Sequence, residues 1–395
     1  MEARMKAVEK RPVGTPCVVF IDDFAWNGFN QFSVQLRREG IRTLRINAIS
    51  FARPRFSARF FYDRFSARLL YDRYETLADD QDVNGLRALL SSENVIDVQF
   101  VETLGDIVLR AADVLNVDTK AALRHRVEMT DKLFVSKLFN EAGVRTPATV
   151  PLARWSPEQA AESLGLPLVV KDRVGSGGRG VIIAHNLNQL HHAVAQQTAT
   201  LENRYFEQYV DGEKLNYGAV FGPAGFEQEL LYRVTNWVQP VGSAIEVETI
   251  DDEQLAEFGR KAVEVSGCVG VMNIDVLRDR DGADWLIDFN PRVFGGGTNF
   301  LQARLNIAHG YLHAYGLRTT PPAVTRPLSG VTVRIFPNSL NARVLSGSYL
   351  HTMADFVVES GPYLKWLGFR YWFAEALSTV AKVWMIHRRT HSSKE

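Results

Sequence analysis

Two short stretches of this sequence put acidic and amide side chains at alternating positions, Val271-Met-Asn-Ile-Asp-Val-Leu277 and Asp284-Trp-Leu-Ile-Asp-Phe-Asn290. Asp281-Gly282 between them is a hairpin turn signal. Pairing symmetric about that turn sets Asp275 opposite Asp288 and Asn273 opposite Asn290 on one face. Ile274, Val276, Ile287 and Phe289 then fall on the other. Directly opposed carboxylates repel unless a positive charge lies between them. Oxygen ligands of this kind suit magnesium, which also takes phosphate oxygens and water, and two such ions fit beside a triphosphate. The plainer alternative is a solvated hairpin face. Asn290-Pro-Arg292 and Gly295-Gly-Gly297 follow directly, and a solvated hairpin needs neither a fixed arginine nor a flexible loop.

A second cluster is Gly175-Ser-Gly-Gly-Arg-Gly180, which has the spacing of a dinucleotide fingerprint. That fingerprint must open a helix. Here Leu168-Val-Val-Lys171 precedes the loop and Val181-Ile-Ile-Ala184 follows it, both strand patterns, so the loop is the tip of a β-hairpin. No Gly-Lys-Ser/Thr follows, which excludes a P-loop. Glycines here let backbone N–H groups approach phosphate oxygens, and Ser176 adds a hydroxyl. Four glycines in six residues are costly unless the backbone needs that freedom, which weighs against a merely flexible surface hairpin. Lys171 would contact phosphate either in a kinase-like lid or in an ATP-dependent ligase.

The elements that carry these residues follow from periodicity. Cys17–Ile21 is a strand ending at Asp22-Asp23, Asn30–Glu39 a helix stopped by Gly40, and Ile41–Ile46 and Val95–Val101 further strands. Leu104–Leu115 is a helix, and the alternation predicts an open, mostly parallel α/β sheet over residues 1–120. Met129–Ala142 is the next helix, ended by Gly143 and Pro147. Short strands and turns run to about residue 250, a helix spans Asp252–Ser266, and residues 121–325 form the second domain. Residues 326–395 form a C-terminal helical extension, with Phe369, Phe373, Leu377, Val380 and Trp384 at helical spacing.

Arg55–Asp63 is echoed by Arg64–Asp72, two copies too short and too few for a solenoid. A helical insertion packed on the first domain is the reading taken, against a partner or lipid contact. For the tail, core packing is preferred over peripheral membrane contact, because Arg370, Glu375 and Lys382 interrupt its apolar face.

The 395 residues are 46% hydrophobic and 23% charged, with 45 basic and 45 acidic side chains, so bulk charge argues for no nucleic-acid partner. Cys17 and Cys268 sit in apolar runs, which fits a reducing cytoplasm rather than a disulfide framework. No run of 18 uncharged apolar residues predicts a membrane span, and Met1–Lys10 lacks the apolar core of a signal peptide. A homodimer is left open.

Taken in order, four elements resemble the ATP-grasp superfamily, in its carbamoyl phosphate synthetase and biotin carboxylase branch. They are Thr130-Asp-Lys132 with Ala142–Pro147, Val169-Val-Lys171 leading into Gly175–Gly180, Phe206-Glu-Gln-Tyr-Val-Asp-Gly212, and Ile287-Asp-Phe-Asn-Pro-Arg292. The resemblance covers about residues 120–310 and implies an ATP-grasp fold behind an N-terminal α/β domain. It implies that Lys132 and Lys171, with Ser176, Gly177, Gly178 and Gly180, contact phosphate. Glu207 would bind the adenine amino group, and backbone groups of Gln208 and Val210 would complete the adenine edge. Glu213 stands near the family's ribose position but is offset, with Lys214 and Leu215 beside it. Asp275, Asp288 and Asn290 would hold magnesium, or manganese in its place. Arg292 would stabilise the oxyanion and the transferred phosphoryl group, assisted by Arg179 and Arg233. The family's usual glutamates are shortened to aspartate at 275 and 288.

The expected reaction is ATP-dependent ligation of a small carboxylate to an amine through an acyl phosphate, with Arg292 and Lys171 the catalytic groups. Two rivals stand beside it, a small-molecule phosphotransferase and a non-catalytic ATP-binding module. Protein-kinase logic demands His-Arg-Asp and Asp-Phe-Gly motifs that the chain lacks. None of the nine histidines has triad or metal spacing. The substrate is expected to be set by Val293–Leu305 and the Asp22–Asn30 segment, which include Phe294, Phe300, Arg304, Trp26 and Asn27.

Overall fold

A computed structural model describes residues 14–22, 27–48, 67–175, 178, 180–196, 200–237, 244–295, 297–336, 339, 360–361, 363–365 and 367–376. Two compact units result, one drawn from residues 1–123 and 336–395 and the other from 124–335.

The first unit is built on β1 (Pro16–Asp22), β2 (Arg42–Asn47), β3 (Arg73–Thr76) and β4 (Asn94–Phe100) in the order β3-β2-β1-β4, all parallel. Cys17–Ile21 is fully buried, as expected of a central parallel strand covered on both faces. Helices α1 (Asn27–Arg38), α2 (Val83–Ser91) and α3 (Gly105–Ala111) complete it. The helix expected over Leu104–Leu115 is shorter, because 3-10 turns at Glu102–Leu104 and Ala112–Val114 flank α3. Strand β3 and helix α2, which the periodicity did not single out, fill the gap between β2 and β4.

Residues from 336 onward fall in this unit. Gln31 donates to the Phe336 carbonyl and to the Tyr371 hydroxyl, each at 2.8 Å, and the Phe336 and Tyr363 rings stack at 4.8 Å. Tyr363, Leu367, Tyr371 and Ala374 are buried here, together with the polar Ser360 and Glu375, whereas Phe369 is 64% exposed. The apolar stripe read through Phe369 and Phe373 is therefore not the face that packs, and Leu377, Val380 and Trp384 lie outside the described residues. Of the sequence repeat, Ala67, Leu70 and Tyr71 of the second copy are buried, and the first copy lies outside the described residues. Among those residues no helix is long and apolar enough to cross a membrane.

Helix α4 (Val117–Glu128) carries the chain into the second unit, where α5 (Lys132–Glu141) follows. Asp131 caps α5, accepting from the N–H groups of Leu133 and Phe134, so the helix starts at the expected Thr130-Asp-Lys132. A four-stranded sheet comes next, β5 (Thr149–Pro151), β6 (Leu168–Asp172), β7 (Val181–Ala184) and β8 (Arg204–Gln208), in the order β5-β8-β6-β7. Helices α6 (Pro157–Leu164) and α7 (Leu187–Ala195) cover it through a core of Leu152, Leu168, Val170, Leu190 and Phe206.

The larger sheet contains β9 (Gly212–Gly222), β10 (Gly225–Trp237), β11 (Ala244–Thr249), β12 (Gly270–Asp279), β13 (Asp284–Asn290) and β14 (Thr332–Arg334), in the order β13-β12-β9-β10-β11-β14. One face packs Leu215, Tyr217, Ile274, Val276, Leu286 and Phe289 against Leu255, Ala256, Ala262 and Val263 of α8 (Glu253–Ser266). Each buried Leu, Ile, Val or Phe among these contributes about 1.5–3 kcal/mol by leaving water, so this face holds the sheet and leaves the other for chemistry. Helix α9 (Ile307–Ala314) lies against β9 and β10.

Candidate active site

The carboxylate hairpin pairs as its pattern predicts at the functional end: Asn273 faces Asn290, Ile274 faces Phe289 and Asp275 faces Asp288. The turn end differs. Arg278 pairs with Asp284 and Val276 with Leu286, and the register shifts between Asp275 and Val276. Three residues, Arg280–Gly282, close the turn, since the Asp279 N–H donates to the Ala283 carbonyl. One extra residue at Ile287 restores the register, so this is a β-bulge. Leu286 therefore takes the core position expected for Ile287. Ile287 is turned out, and its carbonyl accepts from Lys171 Nζ at 3.2 Å.

Asp275 is held by Asn216 of β9, whose amide donates at 2.5 Å, and by Asn273 at 3.4 Å. Tyr232 completes the row by donating to Asn273 Oδ1 at 3.4 Å. Burial pushes the Asp275 carboxyl well above the usual carboxylate range, and the Asp288 charge pushes further, against Lys132 and the two amides. The face thus carries more negative charge than its surroundings neutralise. Lys132 answers part of it, with Nζ 2.5 Å from Asp288 Oδ1. Its position is fixed from two sides, because its own N–H donates to the Arg173 carbonyl at 2.9 Å and the Arg173 side chain pairs with Asp131, the α5 cap.

Lys171 on β6 is 8% exposed and lies 2.5 Å from Glu207 Oε1 on β8. The other Glu207 oxygen accepts from Tyr205 at 3.4 Å. Burial raises the Glu207 carboxyl, Lys171 pulls it down, and Asp288 opposes that pull. Glu207 thus anchors Lys171 between the two strands. The Gln208 N–H is bonded to the Ala148 carbonyl at 2.9 Å, so it is already engaged in the sheet, while Val210 follows β8 in the hinge. A shallow cleft opens beside these groups, lined by Lys132, Val135, Thr146, Tyr205, Glu207 and Leu286–Phe289.

Arg292 is 4% exposed, with Nη1 donating to the Val293 carbonyl at 3.1 Å and Nη2 near Asn290 Oδ1 at 3.5 Å. It stands at the end of β13 beside Asn290, as its position in the strand predicts. The glycine loop is the tip of the β6–β7 hairpin, with Lys171 opposite Val181. Gly178 and Gly180 have φ of +74° and +77°, a conformation that favours glycine. Ser176, Gly177 and Arg179 lie outside the described residues.

Glu213 is not brought to this face. Side chains alternate along β9, so Glu213 points away from Asn216 and pairs with Arg233 at 3.3 Å. That pairing also takes Arg233 to the opposite side. Lys214 takes the place expected of Glu213, sharing the Asn216 face. Asn216, Tyr205 and Lys214 were not singled out as site residues, although strand alternation through Asp275 and its neighbour strand identifies Asn216 and Lys214 in principle. Among the described residues no three His, Cys, Asp or Glu side chains cluster as a metal site. Any cation here would rest on two carboxylates and amide oxygens.

Residues 129–296 match the sequence profile of the ATP-grasp domain. The D-alanine–D-alanine ligase of Chromohalobacter salexigens is 29% identical over 175 residues, which cover 40% of this chain and 54% of that protein. The chain thus spans about half the length of the curated relatives it matches. Among solved structures, N5-carboxyaminoimidazole synthetase from Staphylococcus aureus complexed with ADP superposes with a TM-score of 0.65 at 14% identity, over 87% of both chains. L-amino acid ligase from Bacillus licheniformis gives 0.57 at 16% identity, over 77% of this chain and 75% of that one. These likenesses carry the fold, and the profile match makes residues 129–296 an ATP-grasp domain.

Proposed function

We propose that this chain is an ADP-forming ligase that activates a small carboxylate as an acyl phosphate and joins it to an amine. The observation that carries the reading is one sheet face on which Asp275, Asp288 and Asn290 meet Lys132, with Lys171 bonded to the same strand through Ile287. Such a face is built to hold a polyphosphate and its cation. ATP-grasp enzymes bind ATP, and the base would lie along the hinge at Glu207–Val210 with the phosphates directed to Lys132 and Lys171.

The donor set fits magnesium, or manganese in its place: hard oxygens from two carboxylates and an amide, with phosphate oxygens needed to complete the shell. Asp275 and Asp288 stand directly opposite each other, and opposed carboxylates repel unless a positive charge lies between them. Bound by Asp275, Asp288 and Asn290, the cation would supply charge neutralisation at the transferring phosphoryl group. Lys132 passes from Asp288 to a phosphate oxygen as the nucleotide enters. The substrate carboxylate then attacks the γ-phosphorus, ADP leaves, and the amine attacks the acyl carbon and expels phosphate. Arg292 steadies the developing oxyanion, and positioning with charge neutralisation supplies the catalysis.

The test is ADP and phosphate release from purified protein with magnesium and ATP, screened over amino acids and other small carboxylates, singly and with amines. Release that requires one carboxylate plus one amine, and that is lost in Asp288→Ala, is the expected outcome. Release with a single substrate and a stable phosphorylated product would replace the ligase with a phosphotransferase. Tight ATP binding without release over the whole panel would favour a binding module.

A further inference from the structure

Three lysines reach the working face of the second unit, and two of them are already neutralised, Lys132 by Asp288 and Lys171 by Glu207. Lys214 differs. The β9–β12 register is unbroken, with Leu277 opposite Lys214 and Asp275 opposite Asn216, so Lys214 shares the face of Asn216 and Asp275. Its ammonium lies 3.9 Å from the centroid of the Trp237 ring on β10. Among the described residues no carboxylate lies within ion-pair distance of it, and Asp275 acts on it only at longer range. Burial pulls the ammonium below the usual lysine value. A half-buried cation facing an aromatic ring is partly desolvated but not neutralised, and an oxyanion completes it.

Two buried polar atoms beside it also lack hydrogen-bond partners, Asn216 Oδ1 and Trp237 Nε1. Buried polar atoms in folded proteins are nearly all bonded, so this pair marks a place where a further molecule supplies the missing contacts.

Position decides which part of a ligand lies there. Strand β9 begins at Gly212, directly after the hinge, and reaches Asp275 at Asn216. Lys214 stands midway, about 7 Å along the strand from each. A nucleotide with its base at the hinge and its terminal phosphate at the carboxylates passes this point with its sugar and first phosphate. An ammonium is a donor carrying full charge, so it selects the phosphate.

We propose that Lys214, held by the ring of Trp237, is a subsite for the phosphate attached to the nucleotide sugar. This rests on the nucleotide-dependent function proposed above. Glu213, the acidic neighbour nearer the family pattern, is turned to the other side of the sheet and takes no part.

The experiment is titration of AMP and adenosine into the full chain by ligand-observed NMR, for the wild type, Lys214→Met, Lys214→Arg and Trp237→Leu. Melting temperatures check that each variant is folded. In Lys214→Met the AMP dissociation constant rises about tenfold, as expected for one charge-assisted contact, while that of adenosine is unchanged. Lys214→Arg keeps most of the AMP affinity, and Trp237→Leu loses less than Lys214→Met. Unchanged AMP binding in Lys214→Met overturns the proposal. So does equal weakening of AMP and adenosine, which would put Lys214 at the base or sugar. A wild type that binds neither AMP nor ATP would instead bring down the nucleotide reading itself, a failure visible before any variant is compared.

Discussion

The Lys171 ammonium and the Glu207 carboxylate lie 2.5 Å apart with side chains only 10% and 7% exposed. Such a pair is expensive to break from one side, because the surviving charge is left buried alone. Glu207→Leu is therefore expected to cost about 3 kcal/mol of stability, and Lys171→Met added to it should recover part of that loss. Urea unfolding of the two single variants and the double variant checks this. Strict additivity would mean that the two side chains do not interact. Nucleotide affinity should separate from stability in the same set, since every variant lacking Lys171 would lose the phosphate contact proposed for it. At this scale the site was only partly legible. Asp275, Asp288, Asn290 and Arg292 announce themselves by spacing within one hairpin. The bond from Lys132 to Asp288 joins positions 156 residues apart, and nothing local in either segment encodes it.

Among the elements, β9 and α8 set the back of the working face. Gly259 of α8 sits directly on the Tyr217 ring, and a β-carbon there would lie 2.2 Å from the ring. Close packing of helix on sheet thus depends on the missing methyl group. Gly259→Ala should destabilise the second unit by about 2 kcal/mol through overpacking, read as a lowered urea midpoint. An unchanged midpoint would show that the helix shifts freely over Tyr217. Periodicity found α8, expected over Asp252–Ser266, because three-to-four spacing is a local signal, and the structure makes Asp252 its cap. The bulge at Ile287 was not found. The predicted register at Asp275 and Asp288 is correct although the predicted two-residue turn is not, because the three-residue turn and the bulge offset one another. Glu213 shows the opposite case. A family pattern pointed to it, while simple alternation along β9 assigns the working face to Lys214.

For the chain as a whole, the parallel sheet of the first unit was legible from alternating strands and helices, whereas its order β3-β2-β1-β4, with the consecutive strands β3 and β4 at opposite edges, was not. That residues beyond 336 belong with this sheet was not, since Gln31 and Phe336 are bonded across 305 residues. The central claim concerns the second unit, that a carboxylate is activated by phosphorylation before an amine captures it. The measurement that tests it most directly uses a substrate carboxylate labelled with oxygen-18, turned over with magnesium-ATP and the amine, followed by mass analysis of the released phosphate. Attack of a carboxylate oxygen on the γ-phosphorus leaves that oxygen on phosphorus when the amine displaces phosphate. The account predicts one labelled oxygen in each phosphate and one retained in the amide product. Unlabelled phosphate released alongside amide formation would contradict acyl-phosphate activation outright.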